Sequence, residues 1–450
     1  FHDILPGSSI NEAHHQAESE LSEVIAEADE ISGGFLSSRS DGNALFRTVI
    51  NAGSFPREVI FSDEGERCLR RSDGEKLASQ RTYDGKSVHS LGEKISPFSA
   101  QVFEYIDEKV ERHAPDRNTV MENAYLIVEV NADGSISAYD KVLDRPLLSG
   151  PGNSLYVYKD IPVAWDGWDV DHDYARSRKK LDASEVRTIE SGPVRKVVQA
   201  TYHYEGSSII QRYVLNASSK RLDIETEIDW HTRRTLLKAH FPVNLLSREI
   251  KCDLSAGHLL RSTRVRNSFE EARFEFPAHR WVEVSEPGFA VSILNDGKYG
   301  HGCSDSDVSL TLLRSPIYPD FFADEGRHSF TYSLFSHDPA DALEAVVEAE
   351  SLNKPLVLAW GRLDFGEDCL QISAGNLKVL ALKHSEGIGY VLRLAEVEGR
   401  CGVASVRTSL PFERCWISNI LEDKARELPV VDGRVQLEYR QFGLHTLIFE

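Results

Sequence analysis

At 450 residues the chain is too long for one core to serve, and roughly two to four domains are expected. A formal charge of −20 argues against nucleic-acid phosphate as a partner, because backbone binding needs clustered Lys and Arg; a neutral sugar tolerates such a surface. No apolar run reaches the roughly eighteen residues a membrane span needs, and Cys68, Cys252, Cys303, Cys369, Cys401 and Cys415 form no Cys-x-x-Cys pair, so reduced thiols and a cytoplasmic setting are expected rather than a disulfide framework.

The first element is the turn Phe1-His2-Asp3-Ile4-Leu5-Pro6-Gly7-Ser8-Ser9-Ile10. A His-Asp pair precedes a Pro-Gly break, and Ser8 and Ser9 are candidate caps for a helix that begins near Ile10. An imidazole and a carboxylate on a stiff turn suit metal ligation or the binding of sugar hydroxyls. A surface turn with a capping Asp is the plainer alternative, and one pair does not choose between them. Ile10, Ala13, Ala17, Leu21, Val24, Ile25 and Ala28 recur at helical spacing, which predicts a helix over 10–32 that Gly33-Gly34 ends. His14 and His15 fall inside it and read as solvated residues.

Short alternating runs follow. Ala44–Asn51 and Glu58–Phe61 read as strands of a small antiparallel β-domain that reaches about residue 112, with a boundary in the charged stretch 109–118. From Asn123 the pattern becomes dense. Ala124–Val130 alternates, Asn131-Ala132-Asp133-Gly134 supplies a hairpin turn, and further runs occur at 154–158, 194–204, 208–215, 221–230, 289–294 and 309–313. Sequential strands with little helix between them predict a large antiparallel sandwich rather than a parallel sheet. Residues 338–352 carry one short amphipathic helix, and strands resume after Asn353-Lys354-Pro355 as a third β-domain. The expected fold is therefore mainly β, divided at 1–34, 35–114, 115–340 and 341–450.

A second chemical patch is Lys159-Asp160-Ile161-Pro162-Val163-Ala164-Trp165-Asp166-Gly167-Trp168-Asp169-Val170-Asp171-His172-Asp173-Tyr174. Two Trp-Asp pairs set flat apolar faces beside carboxylates, which complements a pyranose; a loop stapled down by two tryptophans is the structural alternative. Asp166, Asp169, Asp171 and Asp173 invite a calcium reading, but their spacing lacks the Gly and distal Glu of an EF-hand loop. Alternation puts Glu227, Asp229 and His231 on one strand face, where metal binding and ordinary surface pairing both remain open. Gly-x-Ser-x-Gly, HExxH and phosphate-cradling motifs are missing from the sequence.

The opening turn resembles the segment of family 38 glycoside hydrolases, the α-mannosidases, that carries the last zinc ligand. Met121–Lys141, Asp160–Asp169, Glu227–His231, Phe276–Trp281, Asn295–Gly300 and Leu312–Pro316, with Asp320 and Ala323–Gly326, are similar to that family's later blocks and stand in family order. The resemblance is to the bacterial and cytosolic or vacuolar type. It implies a retaining, zinc-dependent exo-α-mannosidase acting on α-mannoside glycans. His2 would bind zinc, Asp3 would hold a sugar hydroxyl, and Trp165, Asp166 and Asp169 would close the pocket. The nucleophile, the acid/base and the remaining zinc ligands would come from a catalytic barrel upstream, so the chain is expected to be the carboxyl-terminal part of a longer protein and inactive alone. The architecture implied is the end of a helical bundle, a small β-domain, a large galactose-mutarotase-like super-β-sandwich and a C-terminal β-sandwich. Neither nucleic acid nor a membrane is expected as a partner, and homo-oligomerisation stays open. Two other classes remain: a non-catalytic carbohydrate-binding or scaffolding β-sandwich, and a mutarotase-like epimerase using His231 with Glu227.

Overall fold

A computed structural model describes residues 3–4, 6–363 and 369–450. Antiparallel sheets dominate it. The small β-domain pairs a four-stranded sheet (Val357–Trp360, Phe46–Asn51, Ser99–Lys109, Arg67–Arg71 in spatial order) with a three-stranded one (Arg57–Asp63, Ser87–Ile95, Ala78–Arg81). Val49, Val59, Phe61, Leu69, Ile95 and Phe103 fill the space between them.

The large sandwich sets a six-stranded sheet against a nine-stranded one, with the four-stranded sheet spanning residues 120–146 beside them. Strand Arg221–Trp230 shows why the sequence folds this way: Leu222, Ile224, Thr226, Ile228 and Trp230 are buried, and the residues between them face out. Inside this core Asn153, Gln211, Tyr213 and Tyr332 form a buried polar network that extends to Gly134 O and Thr226 Oγ1. The Asn153 amide donates to Gln211 Oε1 at 2.9 Å and to Tyr213 Oη at 2.7 Å, and Gln211 Nε2 donates to Tyr332 Oη at 2.7 Å. Buried polar atoms are tolerated there because they satisfy one another. A C-terminal sandwich of three and five strands follows, around Leu392, Leu394, Val406, Val435 and Phe449.

Three local expectations change. The first helix runs Asn11–Arg39, straight through Gly33-Gly34. Both glycines keep helical backbone, at a cost of about 1 kcal/mol each relative to Ala, and Leu36 beyond them packs against Ile50, Ala359 and Leu363. Neither Ser8 nor Ser9 caps this helix. Ile10 is the N-cap, without a side-chain bond, and both serines are buried.

The boundary at 341 also shifts. Helix Glu344–Asn353 packs Ala345, Val346 and Ala349 against Trp281, Leu294 and Phe335 of the large sandwich, Phe55 of the small domain and Ala395 and Val397 of the C-terminal one. Strand Val357–Trp360 then returns to the small domain, pairing Arg47 with Trp360 and Ile50 with Val357. Alternation marks a strand's faces and leaves its partner sheet undetermined.

Candidate functional site

The N-terminal turn and the tryptophan loop meet although more than 150 positions separate them in sequence. Ser8 N donates to Asp3 O at 2.8 Å and Gly7 N to Ile4 O at 3.1 Å, which closes the turn; Gly7 takes a left-handed φ of +71° that suits glycine. Trp168 Nε1 donates to Asp3 Oδ1 at 3.1 Å. Gly167 sits so close to the strap 316–325 that a β-carbon on it would lie 2.8 Å from Tyr318 O, 3.2 Å from Pro319 Cδ and 3.5 Å from Ser8 Cβ. Asn11 Nδ2 donates to Asp320 Oδ2 at 3.3 Å and tethers the helix start to the same strap.

Aromatic rings cluster on the outside of this contact. Trp165 and Trp168 meet edge to face at 6.3 Å, and Trp168 lies 6.2 Å from Tyr318. Trp165 is 70% exposed and holds a left-handed φ of +62°, a conformation that costs a bulky residue about 1 kcal/mol or more. Its carbonyl accepts from Trp168 N and Asp169 N at 2.8 and 2.9 Å, which tightens the turn.

The aspartates take separate partners. Asp166 Oδ2 accepts from Ile317 N at 2.7 Å, Asp171 Oδ2 accepts from Val163 N at 2.9 Å, and Asp173 faces Arg176 at 3.4 Å. Asp169 accepts from Val170 N at 3.0 Å and is otherwise exposed. They do not converge as a calcium site would require, and no group of three or more His, Cys, Asp or Glu able to hold one ion occurs among the described residues. His2, the expected zinc ligand, lies outside the described residues. The described donors alone do not fit a zinc site.

Both ends of the loop are anchored by charge. At its start Asp160, nearly fully buried, pairs with Arg314; burial pushes the Asp160 carboxyl above its usual range, and Arg314 opposes that shift. At its end Tyr174 Oη donates to Glu275 Oε1 at 2.5 Å, while the buried Lys238 ammonium bonds Glu275 and lies 3.2 Å from Tyr174 Oη. Burial lowers the Lys238 pKa, and Glu275 acts against it. Beside them His240 lies 2.8 Å from Tyr158 Oη and 3.0 Å from Asp307 Oδ2. Sequence reasoning missed the anchoring roles of Arg314, Lys238 and Glu275. Two signals were present: a lysine inside the apolar run Leu236-Leu237-Lys238-Ala239, and Arg314 inside the block Leu312–Pro316, to which no role was attached.

Elsewhere the strand trio separates. Arg212 Nη1 donates to Glu227 Oε1 at 2.7 Å, and Asp229 pairs with His231 at 3.1 Å, so Glu227 and His231 are engaged with different partners.

Residues 121–322 match the Glycosyl hydrolases family 38 C-terminal domain, and residues 376–447 match the Glycosyl hydrolases family 38 C-terminal beta sandwich domain. The chain is similar to Alpha-mannosidase 2C1 of Homo sapiens, 30% identical over 357 residues, which cover 74% of this chain and 34% of that protein. It is 26% identical over 483 residues to Alpha-mannosidase G of Dictyostelium discoideum, covering 94% of this chain and 44% of that one. The chain thus spans about a third to just under half the length of these curated relatives. An alpha-mannosidase from Enterococcus faecalis shares the fold, with a TM-score of 0.80 at 16% identity, over 98% of this chain and 61% of that chain.

Proposed function

The chain belongs to glycosyl hydrolase family 38 and carries its C-terminal domains, and we propose that it forms part of a retaining exo-α-mannosidase that releases terminal α-linked mannose from glycans. The observation that carries this reading is the hydrogen bond from Trp168 Nε1 to Asp3 Oδ1, which sets a carboxylate beside an exposed indole pair. That pairing suits a pyranose, whose C–H face stacks on indole while its hydroxyls bond to acids. In this reading Asp3 holds a mannose hydroxyl, and Trp165, with the loop built on Asp166 and Asp169, walls the pocket.

We assign one zinc ligand to His2, with the other ligands, the nucleophile and the acid/base on a catalytic barrel outside this chain. Bound zinc would supply Lewis-acid polarisation and a template for adjacent sugar hydroxyls. Retention would place the two catalytic carboxyls about 5 Å apart. Six free thiols support a reducing, cytoplasmic setting, and no described helix is long and apolar enough to cross a membrane.

The test compares this chain with the full-length protein on an aryl α-mannoside. The full-length protein is expected to turn over and to lose its zinc with His2→Ala, and this chain alone is expected to be inert. Turnover by the isolated chain, or full metal content in the His2 variant, would overturn the assignment. The 70% exposure of Trp165 favours a second reading, a binding module without catalysis. Glycan binding that survives a chelator, in a full-length protein without turnover, would favour it.

A further inference from the structure

We propose that Arg314 is a positioning residue: its guanidinium sets the Trp165–Asp169 turn in the conformation that receives the sugar. The inference rests on the reading of that turn as a wall of the mannose pocket. Arg314 ends the strand Asp307–Arg314, where the chain leaves the six-stranded sheet for the strap 316–325. Its side chain is 18% exposed and that of Asp160 is 2% exposed, so the pair sits largely out of water at the root of the loop.

One guanidinium makes contacts on three loop residues. Nε bonds the Asp160 carboxylate, and Nη2 donates to Asp166 O at 2.6 Å and also to Asp169 O. Those two carbonyls flank Gly167-Trp168. Holding both fixes the orientation of the peptides between them, and so the direction in which the Trp168 indole N–H meets Asp3. The backbone of the same residue ties in the strap, since Arg314 N donates to Asp324 Oδ2 at 2.9 Å. Ile317 N donates to Asp166 Oδ2 at 2.7 Å, closing the strap onto the turn from the other side. A planar fork with donors in fixed directions can serve a carboxylate and two carbonyls at once; an ammonium, a compact point charge, cannot span them.

Arg314→Lys in the full-length protein keeps a positive charge beside Asp160 and removes the fork. The Michaelis constant for an aryl α-mannoside is expected to rise by about tenfold or more with kcat within about threefold, the pattern of lost substrate binding rather than lost chemistry. Acrylamide quenching assigned to the loop indole, read as the difference from Trp168→Phe, is expected to increase in the same variant. Should Arg314→Lys fail to fold, Arg314→Gln combined with Asp160→Asn removes both charges and still lacks the fork, and the same two readouts apply. An active Arg314→Lys enzyme with an unchanged Michaelis constant overturns the proposal, whether or not quenching changes. A wild-type full-length protein that does not cleave the substrate defeats the mannosidase reading instead; quenching that then stays unchanged in Arg314→Lys defeats the clamp as well.

Discussion

Gln80 joins two domains through one side-chain amide. It belongs to strand Ala78–Arg81 of the small domain and is 1% exposed. Its Oε1 accepts from Val194 N and Arg195 N at 2.7 and 2.9 Å, and its Nε2 donates to Glu190 Oε1 at 2.6 Å and to Arg195 O at 3.0 Å. Every donor and acceptor of the amide is thereby used. Gln80→Ala strips Val194 N, Arg195 N and Arg195 O of their side-chain partner, while Glu190 Oε1 keeps Arg195 Nε at 2.8 Å, and a loss of about 2–3 kcal/mol is expected. A urea denaturation midpoint that barely moves would show that water fills the gap. Nothing in Ala78-Ser79-Gln80-Arg81 announces this role, because the partners lie over a hundred positions away. The same holds for Trp168 and Asp3: each looked suited to binding from its neighbours, yet their meeting depends on how the turn docks.

Among the elements, helix Asn11–Arg39 stands apart: none of its 29 residues, all of them described, is buried. Leu21, Val24, Ile25, Ile31 and Phe35 are between 52% and 66% exposed and recur at helical spacing. An uncovered apolar stripe of this kind marks a contact surface. Replacing Leu21, Val24 and Ile25 together by Gln is expected to leave the melting of this chain within about 0.5 kcal/mol of wild type, since these side chains bury little here. Association of the isolated chain, followed by light scattering, is expected to fall; undiminished scattering would place the adhesive surface elsewhere. The stripe was readable from periodicity. The length of the helix was not, because two glycines argue locally for a stop, and a contact with Ile50 and Leu363 overrides them. Helix Glu344–Asn353 makes the complementary point: its amphipathic pattern was legible, its place between three domains was not.

Across the whole molecule, Glu58 reports on how the domains fit. It faces two adjoining clefts of about 200 and 380 Å³ formed by the small domain, the turn around Ser218 and Ser219, and helix Glu344–Asn353. Burial raises its pKa to about 7; Glu348 adds repulsion, while the Ser218 hydrogen bond, Lys94 and Arg221 pull it down. The folded protein therefore holds this proton more tightly than the unfolded chain, whose value is 4.5. The folded state binds the extra proton between pH 4.5 and about 7, so stability falls as pH rises through that window, by a contribution on the order of 2–3 kcal/mol. Glu58→Gln is expected to flatten that slope in melting experiments from pH 5 to 7.5. Parallel curves for the two proteins would remove Glu58 from the account.

What the sequence determined by itself follows from short-range chemistry. Alternation marked the inward and outward faces of strands such as Arg221–Trp230, and the Trp-Asp pairs marked the loop that carries the exposed rings. The acidic balance turned attention from phosphate to neutral ligands. Tertiary structure decided the partnerships. It sent Val357–Trp360 back to the small domain, buried Ser8 and Ser9 instead of using them as caps, and put Arg314 beneath a loop about 150 residues earlier. The reason is physical: a side-chain pattern fixes which face of a segment avoids water, whereas the choice of neighbour is settled by packing and hydrogen bonding among segments that are distant along the chain.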